Sequence, residues 1–161
     1  MKILGIDPGS TRVGYGVIES NGSELKYIKS GLLKILSSDK EKRLMELADS
    51  FGELLKTENP DLVSLEKLYF VKNVKTGMEV AQSRGIIILL TKQNKTPIAE
   101  YTPSEVKLNI TRSGNADKNA VAKMVKLILK TEEIKGPDDV YDAVAIAIVA
   151  ANNLKFMNQG G

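Results

Sequence analysis

The chain has 161 residues, a length that suits a single domain, and its 42% hydrophobic residues can fill a core. It is mildly basic, with 23 Lys and Arg against 20 Asp and Glu and a net charge of +3, which is compatible with a polyanionic partner. The sequence contains no Cys and no His, which excludes disulfides, thiolate nucleophiles, Ser-His-Asp triads and Cys- or His-ligated metal sites. Hydrolytic chemistry would therefore depend on carboxylates and lysines, and oxygen ligands favour hard cations such as Mg²⁺ or Mn²⁺.

The opening MKILG lacks the apolar segment of a signal peptide, and no stretch approaches the roughly 20 apolar residues of a transmembrane helix. We therefore expect a cytoplasmic protein that does not enter a membrane. No repeat, low-complexity segment or linker divides the chain, so we expect one domain over residues 1–161, with a flexible tail after about residue 153.

The first candidate site residue is Asp7, which follows the apolar run at residues 3–6 and precedes Pro8-Gly9. The run predicts a buried strand, and Pro-Gly predicts a tight turn. Apolar residues then alternate with Gly14 and Gly16, which predicts the second strand of a hairpin. Ligands of open α/β sheets bind beyond the carboxyl ends of strands, so Asp7 is either a site residue or simply the first residue of a turn.

A second carboxylate, Glu66, ends another predicted strand. Residues 25–36 hold a third strand, and Ser38 with Glu41 has the spacing of a capping box at the start of a helix. Asn59-Pro60 ends that helix, and residues 61–66 form a strand. A strand-helix-strand crossover makes the two strands parallel neighbours, so Asp7 and Glu66 are expected side by side. The alternative is that Glu66 is a charge leaving a strand into solvent.

An aromatic pair, Tyr69-Phe70, follows in a lysine-bearing loop that includes Lys72. One of the two rings is expected to pack against the core, and Phe70 is favoured for that position. Residues 74–90 are predicted as a helix rather than a buried strand. The end of this helix is apolar almost all round, which requires burial in the core or in a dimer contact.

The last third of the chain supplies basic residues and further carboxylates. Residues 97–101 are predicted as an edge strand, and Thr102-Pro103-Ser104-Glu105 as a helix start. Residues 117–130 form an amphipathic helix with a row of lysines near its outer face. The final helix begins near Asp138 and runs to about residue 151. Asp142 opens its apolar run and shares a face with Asp138 or Asp139, although acidic residues in a first turn also suit the helix dipole.

The widely separated carboxylates thus fall at two strand ends and on one helix face. Such an arrangement can hold two divalent ions about 3.5–4 Å apart, one activating water and one stabilising the leaving oxygen of a phosphodiester. The acids themselves supply the negative charge that binds the ions, so no histidine base is needed.

Four ordered blocks of this chain resemble the RuvC family of Holliday junction resolvases and cover nearly its whole length: GIDPGSTRVGYGV, LEKLYFVKNVKTGMEVAQSRG, YTPSEVKLNITRSGNADKNAVAKMV and DDVYDAVAIAI. The resemblance implies an α/β, RNase H-like fold, with a five-stranded mixed sheet flanked by helices on both faces. It also implies a homodimer that resolves four-way DNA junctions by paired, symmetric nicks in recombination and repair. Mg²⁺ is the implied cofactor, with two ions per active site and Mn²⁺ as a substitute, and a branch-migration helicase complex is the implied partner.

The same resemblance assigns individual residues. It implies that the metal-binding catalytic acids are Asp7, Glu66, Asp139 and Asp142, and its D-x-x-D spacing selects Asp139 over Asp138. Lys107 and Lys118 match family lysines near the cleaved strand, and Tyr69 stands where the family usually has Phe in a loop that reaches the junction centre. The full set of predicted DNA contacts is Tyr69, Phe70, Lys72, Lys107, Arg112 and Lys118.

Two alternatives belong to other functional classes. An actin-like nucleotide-binding domain would share the pattern of strand, Asp, Gly-rich turn and strand, but such proteins need two domains of this kind. A non-catalytic junction-binding protein could lose the acids without penalty, and the presence of all four argues against it.

Overall fold

The structure is a computed structural model, and it describes residues 1–68 and 74–159, with side chains described to residue 154. Its strands are β1 (Lys2–Pro8), β2 (Val13–Ser20), β3 (Leu25–Leu32), β4 (Leu62–Glu66) and β5 (Ile98–Tyr101). They form a five-stranded sheet in the order β3-β2-β1-β4-β5. The strands β1, β2 and β3 pair antiparallel, whereas β4 is parallel to β1 and β5 is parallel to β4.

Helices cover both faces of this sheet. They are α1 (Lys40–Glu58), α2 (Val74–Gln93), α3 (Pro103–Thr111), α4 (Lys118–Leu129) and α5 (Asp138–Gln159). One core packs α1 and α2 against residues such as Leu4, Ile6 and Val63. The other core packs α3, α4 and α5 against residues that include Ile3 and Ile18 on the opposite face. The side chains of β1 alternate between these two cores, as a strand buried on both faces requires.

Local signals at helix ends explain several of these bounds. Thr102 and Glu105 form the predicted capping box, and Asn59 ends α1 in the left-handed conformation with φ of 42°. The predicted capping box at Ser38 is wrong. Asp39 is the N-cap of α1, and its side chain accepts a hydrogen bond of 2.8 Å from the amide of Lys42.

Other element bounds differ from the prediction by a few residues. β3 stops at Leu32 instead of residue 36, β5 begins one residue later than predicted, and α2 continues to Gln93. α5 extends to Gln159, well beyond the predicted end near residue 151, because no proline or capping glycine follows its apolar segment. In the described part of the chain, no helix is long and apolar enough to cross a membrane.

Candidate active site

Asp7 and Glu66 lie at the ends of neighbouring parallel strands. Ile6 of β1 pairs with Leu65 of β4. Asp7 comes directly after Ile6 and Glu66 directly after Leu65, so the two acids lie side by side at the carboxyl edge of the sheet. Both side chains are partly buried. The sequence prediction that these two carboxylates are adjacent is therefore confirmed in position.

Glycines in β1 and β2 allow α5 to reach this edge. A Cβ on Gly14 would lie 2.0 Å from the carbonyl oxygen of Asp139, and one on Gly5 would lie 2.0 Å from that of Ala143. Gly16 faces Val144 in the same way, with a Cβ position 2.5 Å from a methyl carbon. The backbone of α5 thus lies directly against the backbone of the sheet. This close approach brings the first two turns of α5 to the end of β1.

The site is strongly unfavourable for negative charge. Burial raises the pKa of Asp7 to about 8, with further increases from the neighbouring charges of Glu66, Asp142 and Asp139. Burial and the charge of Asp142 likewise raise the pKa of Glu66 to about 7. Burial is the main reason that the pKa of Asp142 is raised. Acids from three separate elements therefore share one poorly solvated region.

The two neighbouring aspartates of α5 have different environments. The side chain of Asp138 is 58% exposed and pairs with Lys118 at 2.9 Å. The side chain of Asp139 is 21% exposed, and its Oδ2 lies 3.2 Å from the Arg12 guanidinium. That oxygen is buried and has no hydrogen-bond partner among the described residues, because the Arg12 contact is an ion pair without hydrogen-bond geometry. Of the two, Asp139 is the one oriented toward the β1–β2 turn.

Two of the predicted basic residues lie beside the acids. Lys107 of α3 lowers the pKa of Glu66 and of Asp142, and Lys118 lowers the pKa of Asp7. Arg112 is exposed at the C-cap of α3, where its φ is 62°. Tyr69, Phe70 and Lys72 lie outside the described residues, so their predicted DNA contacts remain predictions.

The chemistry of this donor set fits hard divalent cations. All candidate ligands are carboxylate oxygens, burial and neighbouring acids raise the pKa values of Asp7 and Glu66, and Asp139 presents a buried oxygen without a hydrogen bond. Within residues 1–68 and 74–159, no three acidic side chains form a ready-made cage for an ion. These carboxylates would hold such an ion by charge attraction, and its charge would offset the repulsion among them.

Sequence reasoning missed two features of this region. The alternation of Gly14 and Gly16 predicts a strand, but it does not reveal that α5 packs against these glycines. Their occurrence at alternate positions of one strand was the available signal. Arg12 carried no signal, because its contact with Asp139 joins residues that are far apart in the chain.

Comparisons of the chain with known proteins point to one family. The family described as "Crossover junction endodeoxyribonuclease RuvC" matches residues 3–150 of the chain. A protein of that name from Thermosipho melanesiensis is 44% identical over 160 residues, covering 97% of this chain and 100% of the relative. Another from Caldicellulosiruptor saccharolyticus is 47% identical over 150 residues, covering 92% of this chain and 90% of the relative.

A solved structure extends the comparison to the fold. Thermus thermophilus RuvC in complex with a Holliday junction substrate superposes with a TM-score of 0.89 at 28% identity. The match covers 98% of this chain and 96% of that one, which confirms the predicted RNase H-like α/β fold. On the family match and the full-length similarity to these relatives, the chain belongs to the RuvC family of crossover junction endodeoxyribonucleases.

Proposed function

We propose that this chain cleaves four-way DNA junctions by divalent-metal-dependent phosphodiester hydrolysis at the carboxylates of Asp7, Glu66, Asp139 and Asp142. RuvC nucleases depend in general on divalent metals. The observation that carries the assignment is the position of Asp7 and Glu66 at the ends of adjacent parallel strands packed against α5. Burial first, and neighbouring acids second, raise the pKa values of both groups. Such an arrangement costs the fold stability, and a bound cation would offset that cost.

The acids would hold Mg²⁺, with two ions per site and Mn²⁺ as a substitute. When bound, such ions activate water and stabilise the leaving oxygen of the phosphodiester. The residues of the chain orient this centre: β1 and β4 fix Asp7 and Glu66, and the close packing of α5 fixes the remaining two acids. The sheet and α5 also bury the site on the protein side, which strengthens every charge interaction within it.

Lys107 and Lys118 have a separate role in this proposal. Lys107 of α3 and Lys118 of α4 both act electrostatically on the acids, and Lys118 is exposed. A phosphate approaching the acids would meet these ammonium groups, which favour the additional negative charge of the transition state. Arg112, Lys72, Tyr69 and Phe70 are proposed as further contacts with the junction, by charge or by base stacking. That set of four rests on the sequence alone.

A homodimer through α2 is also part of the proposal, because two opposed strands need two active sites related by a two-fold axis. Val74, Met78 and Leu89 are exposed by 72%, 63% and 56%. Together with Gly85 they recur at helical spacing along one side of α2, and a Cβ on Gly85 would meet no atom within 4 Å. This apolar stripe is suited to a second copy of the same helix. A branch-migration helicase complex remains the proposed further partner.

The decisive experiment separates cleavage from binding. Amide variants of the four acids (Asp7→Asn, Glu66→Gln, Asp139→Asn and Asp142→Asn) should each abolish nicking of a synthetic four-way junction while junction affinity in EDTA persists. Affinity should survive because it depends mainly on phosphate contacts with Lys and Arg. Asp138→Asn is the matched control, since this exposed carboxylate should matter much less. If it is the more damaging change, the assignment of Asp139 is wrong.

The dimer has its own test, which does not depend on cleavage. Met78→Glu places a charge on the exposed stripe and should produce monomers by sedimentation, with an unchanged circular dichroism spectrum. A wild-type chain that is monomeric at micromolar concentration, yet makes paired cuts, would contradict this part of the proposal.

A further inference from the structure

The peptide unit that follows Glu66 is held from two sides. Its carbonyl oxygen accepts a hydrogen bond of 3.3 Å from Nε of Arg84. Its amide, which belongs to Lys67, donates a bond of 2.7 Å to the carbonyl of Tyr101 in β5. The orientation of this peptide plane determines ψ of Glu66, and the backbone at Glu66 determines where its side chain begins. Both polar atoms of the unit are therefore fixed immediately beyond the end of β4.

The guanidinium of Arg84 makes a second contact besides the one to Glu66. Arg84 lies on α2 and is 19% exposed, and its terminal guanidinium nitrogen forms an ion pair with Glu100 of β5. One guanidinium thus joins the helix α2, the end of β4 and the edge strand β5. The planar fork of arginine can make both contacts simultaneously, which a lysine ammonium in the same place could not match in geometry.

We propose that Arg84 is a positioning residue for Glu66, and that Glu100 holds Arg84 in place. The inference rests on the proposed role of Glu66 at the metal site. Arg84 contacts the backbone of Glu66, whereas the carboxylate of Glu66 responds to Asp142 and Lys107. Arg84 therefore affects the site indirectly, because it fixes the backbone that sets the direction of the Glu66 side chain.

The need for such a device follows from topology. Glu66 is the last residue of its strand, and the neighbour on one side is β5, a four-residue edge strand. Strand ends at a sheet edge open more readily than strand centres. A displacement of about 1 Å at a catalytic group can reduce a rate by about 100-fold. The hydrogen bond from Arg84 of α2 compensates for the short edge strand, because it holds the backbone of Glu66, whose carboxylate needs an accurate position.

The test separates positioning from stability with a double variant. Arg84→Leu leaves Glu100 without its partner, and Glu100→Gln leaves Arg84 without its anchor, so each should lower the melting temperature. Removing both charges together should restore most of that stability, because neither charge is then unpaired. Positioning of Glu66 should stay lost in the double variant. We expect its single-turnover cleavage rate to fall by about 10- to 100-fold, with junction affinity in EDTA changed less than about twofold.

Binding of Mn²⁺ to the DNA-free protein, measured by calorimetry, gives a second readout. It should weaken several-fold in Arg84→Leu and in the double variant, because one ligand is no longer held in place. Arg84→Lys keeps the charge opposite Glu100, and should retain the melting temperature while recovering only part of the rate. This variant also keeps the test valid if Arg84→Leu does not fold. Recovery of both the rate and Mn²⁺ affinity in the double variant would overturn the inference, since Arg84 would then serve stability alone.

Two controls distinguish this inference from the proposed function. Glu79→Gln removes ion pairs of the same helix, to Lys40 and Arg43, and should change the melting temperature without changing the rate at saturating metal. Glu66→Gln addresses the site itself. If Glu66→Gln is inactive while the Arg84 variants cleave normally, only the positioning role fails. If Glu66→Gln cleaves normally, the proposed role of Glu66 is wrong, and the inference falls with it.

Discussion

Asp7→Asn should stabilise the metal-free protein while abolishing its cleavage. Burial and neighbouring acids raise the pKa of Asp7 from 3.8 to about 8 in the folded chain. The folded state then binds more protons than the unfolded chain between these two pH values. Its stability is therefore fully present below pH 4 and decreases as pH rises toward 8. An asparagine has the shape of the protonated acid and carries no charge, so it removes this loss.

The magnitude follows from the size of the shift. At about 1.4 kcal/mol per pKa unit, a carboxyl shifted from 3.8 to about 8 would cost the folded state roughly 5 kcal/mol at pH 8 and roughly 2 kcal/mol at pH 5. Glu66 and Asp142 contribute to that cost by repulsion, and neutralising Asp7 relieves only part of the repulsion among the acids. We therefore expect a net gain of about 2–3 kcal/mol at pH 8, or about 5–10 °C in melting temperature.

Thermal unfolding in EDTA at pH 5 and at pH 8 measures this effect. The variant should melt higher than the wild type at pH 8, and the difference should shrink at pH 5. Added Mg²⁺ should stabilise the wild type far more than the variant, since a bound ion neutralises the same repulsion. Asp138→Asn is the control, because that carboxylate is exposed and paired with Lys118. An unchanged or lower melting temperature for Asp7→Asn at pH 8 would refute the argument that burial and the neighbouring acids disfavour the charged form of Asp7.

Four further substitutions test other parts of the site. Arg12→Ala should lower the melting temperature in EDTA but tighten Mn²⁺ binding by calorimetry, because Arg12 no longer competes for the buried oxygen of Asp139; weaker binding would contradict this. Gly14→Ala forces a Cβ to within 2.0 Å of a backbone oxygen of α5, and should cost at least about 1–3 kcal/mol in chemical denaturation as well as reducing cleavage. Lys107→Ala and Lys118→Ala should each lower the cleavage rate more than junction affinity, and equal losses in both quantities would reduce these lysines to general phosphate contacts.

The sequence alone determined the element order and the positions of Asp7 and Glu66 on adjacent strands. These features depend on local signals, such as apolar periodicity, capping residues and the short strand-helix-strand connection. The four ordered motif blocks led to the RuvC family, which the comparisons confirm. The family match does not favour an actin-like nucleotide-binding domain or a non-catalytic junction-binding protein.

The tertiary structure decided how the helices are placed against the sheet. The sequence spacing does not decide whether Asp138 or Asp139 shares a helix face with Asp142. In the folded chain α5 packs on Gly14, which leaves Asp138 exposed and buries an oxygen of Asp139. The contact of Arg84 with the end of β4 likewise joins two elements whose relation no local pattern encodes. The rotation of a helix about its axis and the reach of a long side chain depend on contacts between residues distant in the chain. Such contacts exist only once the sheet and its two layers of helices have packed together.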